Sequence, residues 1–435
     1  MGIFSSLNYE QKEATGILQI GTFLEYFDLM LYVHMAVVLN ELFFPKTDPH
    51  TAGLLAATGF CATFIFRPFG ALIFGYIGDT MGRKPTVIIT TMMMALSCVV
   101  MATLPTYAQI GIGASWAVTI CRIVQGMSSM GEIIGAEIYL TELVKPPARY
   151  PVVSLMDCAS GFGTLMALAV ATGVFAVGMD WRVAFWIGAL IAIIGTVART
   201  ALRETPDFIN AKQNTQKIIK NQSLTKKTIL AYFLIQCGGP LCFYFTYIYC
   251  GGILKNLFHY TAKDIIYHNL IVATIGFLWT IFITILSYRI YPLKIIKVIA
   301  IISTIFILCI PYLLSNISSP LYLILIQFFT GAMGIYVAPA KAIFFNHFPI
   351  LKRFTCASFI YALSRALMYI ITSFGLVWIT EKYGVWGLLF IFIPVIVGFG
   401  FGLVHFENLE KAIGNYPTKK LSNNSMNIVS SELQT

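Results

Sequence analysis

Apolar runs about as long as a bilayer is thick follow one another along the chain, separated by short breaks rich in Pro, Gly or charge. A helix rises about 1.5 Å per residue, so about 20 mostly apolar residues cross the hydrocarbon core. Such runs start near Gly16, Thr51, Thr86, Ala108, Val152 and Arg182, and again near Thr228, Ile265, Ile295, Pro320, Thr355 and Val385. The pattern predicts an all-α membrane protein with twelve transmembrane helices in two six-helix bundles, residues 1–202 and 228–407. The polar stretch 203–227 between them cannot span and is expected to be a cytoplasmic linker. The Asn-, Ser- and Lys-rich end, 408–435, is expected to be a largely disordered cytoplasmic tail.

Composition supports lipid as the solvent: a chain that is 58% hydrophobic and 11% charged has too little polar surface to enclose its apolar side chains in water. Met1 to Thr15 is polar and mixed in charge, and the apolar run after it is too long for a cleavable signal. The nine cysteines include no CxxC pair and the six histidines no HExxH, so no metal site is expected. A net charge of +10 raises the question of nucleic acid, but the charges are spread over loops between spans, where topology accounts for them. Of 29 Lys and Arg, twenty fall on loops of one side and five on the other (Lys46, Arg182, Lys255, Lys263 and Lys382). Positive side chains collect on the cytoplasmic side, which places both termini there, in a multi-pass protein of the cell's inner membrane.

Inside the spans remain Arg67, Arg122, Lys341 and Arg365, with the acids Glu25, Asp28, Glu132, Glu137 and Asp157, all five acids in the first half. A central charge costs about 2.5–3.5 kcal/mol on an insertion scale, so these groups must pair, face water or reach an interface. Glu25, Asp28 and Tyr32 share one helix face, and two carboxylates so close in a low dielectric do not both ionise readily, as proton coupling requires. The alternative is an ion pair with Arg67 or Arg122. Gln125 and Glu132 share a face of the fourth span, among Gly126, Gly131 and Gly135, which permit close packing. Arg365, about ten residues into its helix, is expected to face a central cavity. The aromatic run Phe243 to Tyr249 reads either as a cage for a quaternary ammonium or as an interfacial belt.

The stretch RPFGALIFGYIGDTMGRK, Arg67 to Lys84, resembles the loop signature between the second and third helices of the major facilitator superfamily. RIVQG from Arg122 resembles its fourth-helix motif, and SYRIYPLK from Ser287 a degenerate second loop copy with Tyr288 in place of the usual Asp. FLEYFD (Phe23 to Asp28), the run from Arg122 to Glu142, and ALRETPDF (Ala201 to Phe208) resemble the metabolite:proton symporters, which carry proline and betaine, α-ketoglutarate, citrate or shikimate.

The resemblance implies alternating access about a central site, driven by the proton gradient without a bound cofactor. It implies a proton path through Glu25, Asp28 and Glu132, and substrate contacts from Tyr32, Arg67, Arg122, Gln125, Lys341 and Arg365. A cytoplasmic latch would consist of Gly75, Gly78, Asp79, Gly82, Arg83, Lys84 and Glu142. The expected partners are a small-molecule substrate, protons and the bilayer, with no nucleic acid, and the expected state is a monomer. A drug antiporter of the same fold usually carries proline in its fifth helix, and Val152 to Gly178 has none. No GxxxxGK[ST] loop supports an ATP-driven pump, and no nucleophile or metal cluster supports an enzyme. A transporter-like sensor stays open as an alternative.

Overall fold

The computed structural model describes residues 3–45, 63–213 and 224–417. Among them every regular element is helical. The first half contributes α1 (Tyr9–Phe43), α2 (Arg67–Thr80), α3 (Arg83–Thr103), α4 (Ile112–Met130), α5 (Ala136–Leu143), α6 (Arg149–Val177), α7 (Arg182–Arg199) and α8 (Pro206–Gln213). The second half contributes α9 (Lys226–Gln236), α10 (Gly238–Phe243), α11 (Cys250–Phe258), α12 (Ala262–Leu286), α13 (Pro292–Ser315), α14 (Pro320–Gln327), α15 (Lys341–Asn346), α16 (Arg353–Ile370), α17 (Leu376–Tyr383) and α18 (Leu389–Ile413). Widened turns of the π type join α4 to α5, α10 to α11 and α16 to α17.

Local chemistry sets the ends. Gly82, at φ +129°, separates α2 from α3 with a backbone that side-chain-bearing residues rarely adopt. Thr261 and Asp264 form a reciprocal capping box at the start of α12. Gly178 closes α6 in the left-handed conformation.

Seven described helical stretches are apolar and long enough to cross a membrane. α1 carries Glu25 and Asp28 within its apolar run, and α4 carries Arg122 and Gln125. Outward faces of the apolar helices expose side chains such as Leu96, Leu190, Ile305 and Phe390 to lipid.

The run expected as one span from Pro320 is broken. After α14 and the widened turn Phe328–Ala332, residues 333–340 leave helical geometry before α15 begins. Gly334 and Pro339 lie in that segment, and proline cannot continue a helix. Irregular backbone at bilayer depth is tolerated where it lines a cavity, and Gly334, Tyr336, Val337 and Ala338 line one here. At the other end α18 continues to Ile413, past the boundary expected at 408, and Glu410 is buried.

Within the first half α1 packs on α6 and α7, α3 on α4 and α7, and α2 on α4; within the second, α9 packs on α16 and α18. The most extensive pairings between the halves are α2 with α16 and α6 with α12, and α15 also meets α5 and α6. Gly75 makes the first of these close, since a Cβ there would lie 2.6 Å from the Cα of Thr355.

Candidate functional site

Between the halves lies a cavity of about 260 Å³, lined from both by Tyr26, Arg67, Asp157, Gln236, Lys341 and Arg365 among others. Arg365, on α16, is held by neutral groups. Its guanidinium carbon lies 3.3 Å from the centre of the Tyr361 ring, and its Nη1 is 3.5 Å from Gln236 Oε1. No carboxylate pairs with it among the described residues.

The acids of α1 have separate partners. Arg67 Nη2 donates to Glu25 Oε1 at 2.8 Å, with both side chains buried. Arg122 Nη1 lies 3.1 Å from Asp28 Oδ2 and 2.8 Å from Gln125 Oε1, while Gln125 Nε2 donates to Asp28 Oδ1 at 3.0 Å. The Tyr32 ring covers this group, 4.1 Å from the Arg122 guanidinium, and the Cys98 thiol reaches Asp28 at 3.6 Å. Each of these acids therefore has an arginine partner in the structure. The side chain of Glu132, in the widened turn Gly131–Gly135, lies outside the described residues.

Lys341 bridges the halves. Its ammonium donates to Glu137 Oε1 at 2.6 Å and to Asp157 Oδ1 at 2.5 Å, so it already holds two carboxylates. Sequence reasoning named Lys341 but not this pairing, because the acids come from two helices distant in the chain.

A second network closes one end of the seam. Asp79 accepts from the backbone N–H of Phe354 at 3.1 Å and of Thr355 at 2.8 Å, and from the Thr355 hydroxyl at 2.7 Å. These are free donors of the first turn of α16, where the helix dipole also favours an anion. Fully buried Arg83 holds Glu142 with two nitrogens, at 3.1 and 3.0 Å, and donates to the carbonyls of Gly78 at 2.6 Å and Ile350 at 2.8 Å. Arg353 and Thr205 complete Glu142 at 3.0 and 2.8 Å. Gly78 gives room to the Phe354 ring, which a Cβ would overlap. Lys84 contributes its backbone N–H, which with that of Arg83 is capped by Glu204 at 3.2 and 3.0 Å. Arg353, Thr205 and Glu204 were missed as members, although ALRETPDF marked the last two as a conspicuous run.

At the second copy of the loop the chemistry differs. The Tyr291 hydroxyl donates to Glu410, which also accepts from His347 Nε2 at 2.7 Å, and the Tyr150 ring lies 5.9 Å from that of Tyr291.

Apolar-faced helices around a charged cavity, sealed at one end by contacts between the halves, define a multi-pass membrane transporter rather than an enzyme. The chain belongs to the Major Facilitator Superfamily, whose family model matches residues 18–373. It is 30% identical over 406 residues to "Inner membrane metabolite transport protein YhjE" of Escherichia coli K12, covering 88% of this chain and 90% of that protein. It is 29% identical over 274 residues to the "Proline/betaine transporter" of Salmonella typhimurium LT2, covering 58% of this chain and 54% of that one. In structure it resembles the proton:xylose symporter XylE, with a TM-score of 0.73 at 16% identity, covering 92% of this chain and 95% of that one. The resemblance to metabolite transporters read from FLEYFD and its companion motifs is therefore correct, and the fold is that of the superfamily.

Proposed function

We propose that this protein is a secondary active transporter that carries a small carboxylate-bearing metabolite, a proline- or betaine-like zwitterion or an organic acid, together with protons by alternating access. The observation that carries the reading is the charge balance of the cavity. Arg67 is taken by Glu25 and Lys341 by two acids, so Arg365 is the lining cation without a carboxylate partner among the described residues. A guanidinium binds a carboxylate through paired hydrogen bonds, and the tyrosine face beneath Arg365 leaves its edge for that purpose. A single such cation suits a ligand with one carboxylate better than a tricarboxylate.

In this reading residues 1–202 and 228–413 are the rocking bundles, 203–227 the cytoplasmic linker and the residues after Ile413 the cytoplasmic tail, in a monomer of the inner membrane. Glu25, Asp28 and Glu132 form the proton path; Tyr32, Arg122 and Gln125 shape it. The Asp79 and Glu142 networks latch the cytoplasmic side.

The test is uptake of radiolabelled glycine betaine, proline and citrate into proteoliposomes under an inward proton gradient, with and without an uncoupler. Arg365→Ala should weaken binding of the transported probe at least about tenfold, or ~1.4 kcal/mol, read from ligand-dependent thermal shift. Wild-type affinity in that variant, or no uptake of any probe, would overturn the reading.

A further inference from the structure

The Glu137–Lys341–Asp157 group has two carboxylates against one ammonium. It sits where the halves meet: Glu137 is on α5, Asp157 on α6, and Lys341 opens α15 after the broken segment 333–340. Glu137 is shut away, its side chain 1% exposed, whereas Asp157 is 23% exposed and lines the cavity with Lys341. The outer oxygens, Glu137 Oε2 and Asp157 Oδ2, are buried without a hydrogen-bond partner. Around them the other ionisable groups are Arg365, Tyr361, Tyr26, Tyr232 and Cys158. None of these is a second cation in contact with either acid, so the triad by itself carries one negative charge, balanced only at a distance by Arg365 until a bound carboxylate takes that cation. An uncompensated charge at bilayer depth is costly, and a proton removes it.

We infer that this triad is a second proton-loading site, in which a proton from cavity water adds to the Asp157 carboxylate and weakens the bridge between the halves. The inference rests on the transporter reading and deepens it. With Asp157 neutral, Lys341 keeps one charged partner, Glu137, in place of two. The seam at α6 and α12 is then held by weaker contacts such as Ser154 to Thr284, 2.8 Å apart. The triad is also linked to the ligand site: Arg365 repels a proton there, and a carboxylate bound to Arg365 cancels that repulsion. Substrate and proton thus favour each other's arrival, as symport requires. The positioning role belongs to Lys341, which acts through the two acids.

The proton itself can be read without a substrate. Infrared difference spectra of the full-length protein in lipid, taken across the pH range in which it stays folded, should show a protonated-carboxyl band that loses one residue's amplitude in Asp157→Asn and regains it in Asp157→Glu. In proteoliposomes Asp157→Asn should accumulate the transported probe at least about tenfold less than wild type, with Asp157→Glu restoring most of it. An unchanged band in Asp157→Asn, or wild-type accumulation with an intact pH profile, overturns the triad as a proton site. If Asp157→Asn does not fold, Asp157→Glu decides the matter: its carboxyl band must appear at a shifted frequency, and identity with the wild-type spectrum overturns the inference. Failure of the transporter reading looks different: wild type then takes up none of the probes, while the infrared titration still decides the triad.

Discussion

Two sets of buried ion pairs occupy this molecule, and they differ in what they join. Glu25 with Arg67 and Asp28 with Arg122 lie wholly within the first half, helix to helix, and any motion of one half against the other leaves them intact. Asp79 at the start of α16, Glu142 between Arg83 and Arg353, and Lys341 between Glu137 and Asp157 each make contacts that exist only while the halves touch. The first set gives each acid its own arginine. The second shares its groups: Glu142 has three donors from three segments, Asp79 takes backbone amides, and Lys341 serves two acids. Sharing keeps most groups on the first half satisfied when the second withdraws, since Glu142 retains Arg83 and Thr205 after Arg353 leaves. Internal pairs fix the shape of one half, while crossing pairs set the free-energy difference between its two arrangements.

Arg122→Ala should be the most damaging change, because it strands a buried Asp28 with a glutamine and a thiol for company. Removing one partner of a buried pair costs about 3–5 kcal/mol, against about 5–15 kcal/mol of total stability for a typical protein. The purified variant should unfold at a markedly lower temperature, and adding Asp28→Asn should recover much of the loss; no loss at all would mean that the internal pairs hold nothing together. Arg353→Ala should act on the other side of the comparison. Its stability cost is smaller, about 1–3 kcal/mol, because Glu142 keeps its remaining donors. Its main effect is to free the seam, so amide hydrogen exchange at Phe354 and Thr355, the donors to Asp79, should accelerate at least about fivefold. Unchanged protection there would remove Arg353 from the latch.

The parts of this arrangement legible in the sequence are the local ones. Most described helices follow apolar runs and their Gly, Pro and charged breaks, and the contacts of Asp79 and Arg83 with the opposite half come from one stretch, Arg67 to Lys84, with Glu142. Arg365 was legible as a cavity residue because a lone charge so deep in an apolar run has few other places to go. Pairing was not, since Arg67 and Arg122 are equivalent candidates for Glu25 until the helices are placed, and Lys341 meets acids roughly two hundred positions away. The break at 333–340 was hidden for a related reason. Its apolar composition matches a span, and only the cavity against it makes an irregular backbone tolerable. Glu410 looked like part of a solvated tail, and its burial depends on Tyr291 and His347 from elsewhere in the second half.

The smallest effect is expected at the second loop copy, and it sharpens the comparison most. Where the first copy places Asp79 and Arg83 in contact with the opposite half, the second has Tyr288 in the acid's place, and Tyr291 turns to Glu410 within its own half. What reaches across there includes an edge-on ring contact from Tyr150 to Tyr291 and a hydrogen bond between the same two side chains, neutral contacts that hold far less than a buried charge. Tyr291→Phe keeps that ring and removes the hydroxyl, while Glu410 retains His347 at 2.7 Å. The cost should be about 1 kcal/mol or less in unfolding free energy. Exchange at the Phe354 and Thr355 amides should stay within about twofold of wild type, because those amides report the first loop and not the second. A large acceleration at those amides would show that the two loops act as one lock, and the division between internal and crossing contacts would then fail at the second copy.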